Sequence, residues 1–85
     1  METVARDIVS RCERLFPPDD ELTLNAKYLL AYVLLRVEKQ SEAEELAKKL
    51  KENLKQAFGE YDHKTINMKR IYAQAMIEQN KYYLG

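Results

Sequence analysis

The chain holds one cysteine, Cys12, and one histidine, His63, the residue types most often used for nucleophilic and zinc chemistry. A zinc centre takes four Cys or His ligands, or three and a water, and a nucleophile needs a base within hydrogen-bond reach. Cys12 falls on the apolar stripe of its segment, where a small core residue is the plainer reading. His63 follows Asp62 in a turn-like stretch and reads as part of that turn. The run Asp19-Asp20-Glu21 has the composition of a cation site, but it stands where a helix begins, and acidic residues are favoured there by the helix dipole. No glycine-rich phosphate loop is present. These residues name no catalytic group, no cofactor and no metal, and the expectation is a chain that is not an enzyme.

Composition narrows the class further. Eighty-five residues make one small domain with a thin core. The chain is 46% hydrophobic with two glycines and two prolines, a composition that argues against long disordered tracts. Fourteen basic and fourteen acidic residues cancel, which argues against nucleic acid as the ligand, because phosphate neutralisation dominates that affinity. No apolar run approaches the roughly 20 residues that span a bilayer, and the first fifteen residues mix charge with apolar positions unlike a signal peptide. With a single cysteine, these features point to a reducing, cytoplasmic setting without a membrane.

Such a chain must place any functional side chain through its repeat. Residues 16–25 (FPPDDELTLN) and 58–67 (FGEYDHKTIN) align at an offset of 42. Phe16 falls on Phe58, Asp20 on Asp62, Thr23 on Thr65, Asn25 on Asn67, Lys27 on Lys69 and Ala31 on Ala73. Apolar positions agree too, Leu24 with Ile66, Leu34 with Met76 and Leu35 with Ile77. A period of this size marks stacked repeats, which supply binding surface more often than chemistry. The repeat boundaries fall near 16–57 and 58–85, with 1–15 as a preceding helix.

Four helices follow from the apolar spacing. Residues 2–15 carry Val4, Ala5, Ile8, Val9, Cys12 and Leu15 at steps of three and four, and Pro17-Pro18 stops the helix. Asp19 or Asp20 caps the next, about 21–38, which is apolar nearly all round and must pack on more than one side. Ser41 and Glu44 form a capping-box pattern for a third helix over about 42–57, with Glu44–Lys48 and Glu45–Lys49 spaced for ion pairs on a solvated face. Gly59 ends it with positive φ. Asp62 caps a fourth helix over about 63–79, with Ile66, Ile71, Ala73, Ala75, Met76 and Ile77 inward. Residues 80–85 match the earlier turn, and Tyr82 and Tyr83 read as tail packing or assembly contacts.

The pattern Lys27-x-x-Leu30-Ala31-x-x-Leu34 followed by Ala43-x-x-x-Ala47, repeated as Lys69-x-x-Tyr72-Ala73-x-x-Met76, resembles tetratricopeptide repeats. The period of 42 and the segment FGEYDHKT resemble the longer repeats of kinesin light chains. The resemblance covers residues 16–85 and implies an all-α stack of antiparallel helix hairpins in a right-handed superhelix, with helices in the order B-A-B-A. It also implies a concave groove lined by the A helices that takes a peptide or helix of a protein partner. Placed by that resemblance, the binding residues are Asn25, Tyr28, Tyr32 and Arg36 on the first A helix, and Asn67, Arg70 and Gln74 on the second. Leu29, Leu35, Ile71, Ile77 and Glu78 share those faces. The asparagines would hold a peptide backbone, the tyrosines would form an aromatic ledge, and Arg70 would meet a carboxylate.

The helix order leaves the first B helix without its A partner and the last A helix without its B partner. An unpaired A helix exposing Ile71, Ala75 and Met76 would present an apolar patch that monomers tend to avoid. The alternative expectation is therefore a structural assembly unit, a homodimer or array formed through residues 2–15 and 63–84. A chain cut from a longer array, or completed by another protein, would present the same patch.

Overall fold

Proline and aspartate set the first boundaries. In the computed structural model, which describes residues 1–84 and side chains as far as Gln79, α1 runs over Glu2–Leu15. Phe16 caps it in extended conformation (φ −134°, ψ 158°), the region left to a residue that precedes proline. The Pro17 carbonyl accepts the Asp20 N–H at 3.1 Å, and the Asp20 carboxylate accepts the Leu22 N–H at 2.9 Å, opening α2 (Glu21–Arg36). Forty-two residues on, the same turn recurs with different residues. The Gly59 carbonyl accepts the Asp62 N–H, and the Asp62 carboxylate accepts the Lys64 N–H at 2.9 Å, opening α4 (His63–Leu84). Gly59 has φ 97° and ψ 160°, a region that residues with a Cβ essentially never enter.

Between these turns the chain reverses through Glu38, whose φ of 64° is left-handed. The Lys39 N–H donates to the Leu34 carbonyl and the Glu38 N–H to that of Leu35, the two bonds of a Schellman motif with glutamate in the place glycine usually takes. This turn starts α3 (Gln40–Phe58) two residues before the expected boundary. The capping box read from Ser41 and Glu44 is not formed. Lys39 is the N-cap without a side-chain bond, because the Schellman turn brings the helix start forward and puts Ser41 inside the first turn. Glu44 accepts instead from the Gln79 amide. Neither expected Glu–Lys pair on the outer face of α3 is among the ion pairs of the described residues. The expected end of α4 at residue 79 is corrected as well. Residues 79–84 hold no glycine or proline, so the helix propagates to Leu84. The packing expected of Tyr82 and Tyr83 falls outside the described side chains.

The helices form an all-α stack of antiparallel hairpins in which neighbours in sequence are neighbours in space. The helix α2 packs on α1, α3 and α4, whereas among the described residues the backbone of α1 lies close to that of α2 only. The molecule is a slab of 43 × 30 × 15 Å. One core cluster joins α1 to α2 through Ala5, Val9, Ala26, Leu30 and Val33, and reaches Ala43 and Ala75. A second joins α2, α3 and α4 through Leu24, Ala31, Ala47, Leu50, Leu54, Met68 and Ile71. Alanines at 31, 43, 47 and 75 are closed to solvent, since close-packed backbones leave no room for longer side chains.

A charged clamp fixes the N-terminus of α1. The Glu2 carboxylate accepts from Arg6 at 2.8 Å and from Lys39 at 2.9 Å, while Arg6 also donates to Glu42 at 2.6 Å. The hydrogen bonds from Lys39 and Arg6 hold the Glu2 carboxyl below its ordinary range, and those to Glu42 and Glu2 raise Arg6. The clamp ties α1 to the α2–α3 turn and to the first turn of α3.

Candidate protein-binding surface

The helices α2 and α4 touch and are the first helices of successive hairpins, so the repeat sets equivalent residues in the same order along them. Asn25, Tyr28, Tyr32 and Arg36 form one row at steps of three and four along α2, the spacing that stacks side chains on one helix face. Asn67, Arg70 and Gln74 form the matching row on α4. Asn25 and Asn67 are both half-buried, and among the described residues neither side chain has a hydrogen-bond partner. Tyr28 is half-buried against the cluster holding Leu24, Met68 and Ile71, so its ring covers core between the repeats. Tyr32 stands open, with the Arg36 guanidinium 5.8 Å from its ring centroid, a cation–π contact. Arg36 and Arg70 are exposed.

Gln74 is one of two carboxamides bridged by the Glu78 carboxylate, an arrangement that the sequence did not announce. Its amide donates to one oxygen of Glu78 at 3.0 Å, and Gln40 at the start of α3 donates to the other at 3.0 Å. The Gln74–Glu78 half is visible in sequence as an i,i+4 pair. The Gln40 half spans 38 positions, and only the packing of α3 on α4 brings it there.

Burial on α4 differs from the expectation in one consistent way. Ile71 and Ala75 are buried against α2 and α3, so they belong neither to an exposed patch nor to the groove lining. Ile66 (40% exposed), Met76 (39%) and Ile77 (53%) face solvent instead of the core, together with Ala73. Their counterparts on α2 are closed, Leu24 and Ala31 in the cluster shared with α3 and Leu34 in the cluster shared with α1, and among the described residues no helix lies over that side of α4. Leu22 and Leu29 on α2, Val37 at its C-cap, and Val4, Ile8 and Leu15 on α1 are likewise exposed.

Cys12 is a free thiol, half-buried against the first cluster. His63 is the exposed first residue of α4. Among the described residues no group of three or more His, Cys, Asp and Glu is placed to hold a metal ion, and no helix is long and apolar enough to cross a membrane. A hollow of about 260 Å³ opens where α1 and α3 stand apart over α2, floored by Leu30 and Leu34 and rimmed by Arg6, Glu42 and Lys49. No protein-family model matches the chain, and no curated protein and no solved structure matches it.

Proposed function

We propose that the chain is a protein-binding module of the tetratricopeptide kind, with long repeats like those of kinesin light chains. It holds an extended peptide of a cytoplasmic protein along the rows of α2 and α4, without a cofactor or chemistry of its own. The observation that carries this reading is the asparagine pair. Asn25 and Asn67 stand at one register of the repeat on two like-directed helices, half-buried and without hydrogen-bond partners among the described residues. A half-buried amide with free donors and acceptors is suited to pair with a peptide backbone. Tyr32 with Arg36 supplies an amphipathic ledge at one end of the row and Arg70 a cation for a carboxylate at the other.

Panning a random peptide library against the chain tests this. Selected peptides should bind with an affinity that drops at least tenfold in the Asn25→Ala/Asn67→Ala double variant, the order expected from losing one or two polar contacts. Failure to select any peptide, or equal binding by the double variant, rejects the groove. The open apolar side of α4 favours a second reading, a unit that assembles with copies of itself through its terminal helices.

A further inference from the structure

Two apolar faces of the molecule stand open, and they are the two halves of an interface that the chain already makes within itself. At the offset of 42, α1 superposes on α3 in sequence, Val4 on Leu46, Ala5 on Ala47, Ile8 on Leu50 and Cys12 on Leu54. Within the chain, α3 covers α2 with Leu46, Ala47, Leu50 and Leu54 packed in one cluster with Leu24, Ala31 and Leu35. On α4 the residues in the register of Leu24, Ala31 and Leu35 are Ile66, Ala73 and Ile77, all exposed. On α1 the residues in the register of Leu46 and Leu50 are Val4 and Ile8, exposed at 55% and 37%. Ala5 and Cys12, in the register of Ala47 and Leu54, are packed with Val9 against α2, so what stays open on α1 is the adjoining edge formed by Val4 and Ile8. So α4 lacks what α3 is to α2, and α1 lacks what α2 is to α3.

We propose that α1 of a second copy docks on α4, setting Val4 and Ile8 against Ile66, Ala73 and Ile77 in the register that α3 takes on α2. The proposal deepens the self-assembly reading and rests on it, independently of the peptide groove. The occupant is named by the repeat itself, because the donor face on α1 descends from the same pattern as the α3 face that fills this register inside the chain. Ala73 is the permissive residue. Its counterpart Ala31 is fully closed between α2 and α3, and only a short side chain admits a helix so near. The contact is heterologous, joining two different surfaces. Since α1 and α4 do not touch among the described residues, each docked pair still presents one free face of either kind, and assembly extends along the stack.

Sedimentation velocity from roughly 10 µM to 1 mM, a range suited to a contact smaller than a standard interface, reads the result. The wild-type mass should start near 10.0 kDa and climb past that of a dimer. Val4→Glu and Ile77→Glu, both at exposed positions, should each hold the monomer mass with unchanged thermal melting. Ile8→Lys serves as a second α1 variant should Val4→Glu disturb the Glu2 clamp. The decisive arm mixes Val4→Glu, which keeps the α4 face, with Ile77→Glu, which keeps the α1 face. One 1:1 pair of about twice the monomer mass should form and grow no further. A wild-type mass constant across the range overturns the proposal, as does a mixture that stays monomeric. The Asn25→Ala/Asn67→Ala variant should assemble as wild type does, so loss of the groove and loss of assembly are read separately.

Discussion

The helices α2 and α4 begin alike and end in different surroundings. Each is opened by an aspartate that accepts the N–H two residues on, each carries a fully closed threonine at its third position, and each buries one side against the helix before it. They part on the opposite side. Leu24 on α2 is closed in the cluster it shares with α3 and Leu34 in the one it shares with α1, while Ile66 and Met76, in the same register, face solvent. Hydrophobicity is a property of the residue, but burial is a property of the neighbour, and one pattern written twice met a neighbour only once.

Paired substitutions at equivalent positions give the sharpest form of this comparison. Leu24→Ala should lower stability by about 2–5 kcal/mol, because it removes a fully closed side chain and leaves a cavity. Ile66→Ala, its counterpart, should cost less than about 1 kcal/mol in the monomer. Urea titrations of both variants measure the gap, and similar losses would show that α4 is covered in solution.

The two linkers come next. Gly59→Ala should cost about 1–3 kcal/mol, since a Cβ there meets no atom within 4 Å but the backbone at φ 97° is strained for any L residue. Pro17→Ala, at the same place in the first copy, should cost at most about 1 kcal/mol, mainly by loosening the unfolded chain. Equal losses would mean that the two turns are equally constrained.

The threonines separate by hydrogen bonding alone. Thr65 donates to the Gly59 carbonyl at 2.8 Å, whereas the buried Thr23 hydroxyl has no partner among the described residues. Thr65→Val should therefore cost about 1 kcal/mol, and Thr23→Val should be neutral or stabilising, because it removes an unpaired buried polar atom. Calorimetric melting of the two variants decides it.

The smallest effect belongs to the clamp on α1. Glu2 has a folded pKa below its unfolded value, so its contribution is present above the ordinary carboxylate range and is lost as pH falls through the lowered folded value. Glu2→Gln should lower the melting temperature slightly near neutral pH, and wild type and variant should converge in acid once the Glu2 carboxyl is protonated in the folded state as well. The same gap should narrow in concentrated salt, because the carboxylate is accessible to solvent. A gap that persists in acid would assign the role of Glu2 to packing instead of charge.

Much of the fold is legible before any coordinates. Pro17-Pro18, Asp20, Gly59 and Asp62 act on backbone within a few residues of themselves, and their consequences can be read locally. The start of α3 could not be read in that way. Ser41 and Glu44 satisfy a local rule, but the left-handed turn at Glu38 moved the helix start and left Ser41 without a cap to make. Glutamate gives no signal for positive φ, so nothing near it marks the turn. The rows Asn25-Tyr28-Tyr32-Arg36 and Asn67-Arg70-Gln74 follow from helical spacing once the repeat is seen. Their present partners do not, as Gln40 reaches Glu78 only across two packed helices.

Residue order alone determined the four helices, the duplicated caps and the side of each helix that is apolar, because propensity, capping and periodicity act over one or two turns. Tertiary packing decided which apolar sides close. Ile71 and Ala75 went inside and Ile66, Met76 and Ile77 stayed out because closure requires a second helix at the right distance, and only the assembled stack sets where that helix lies.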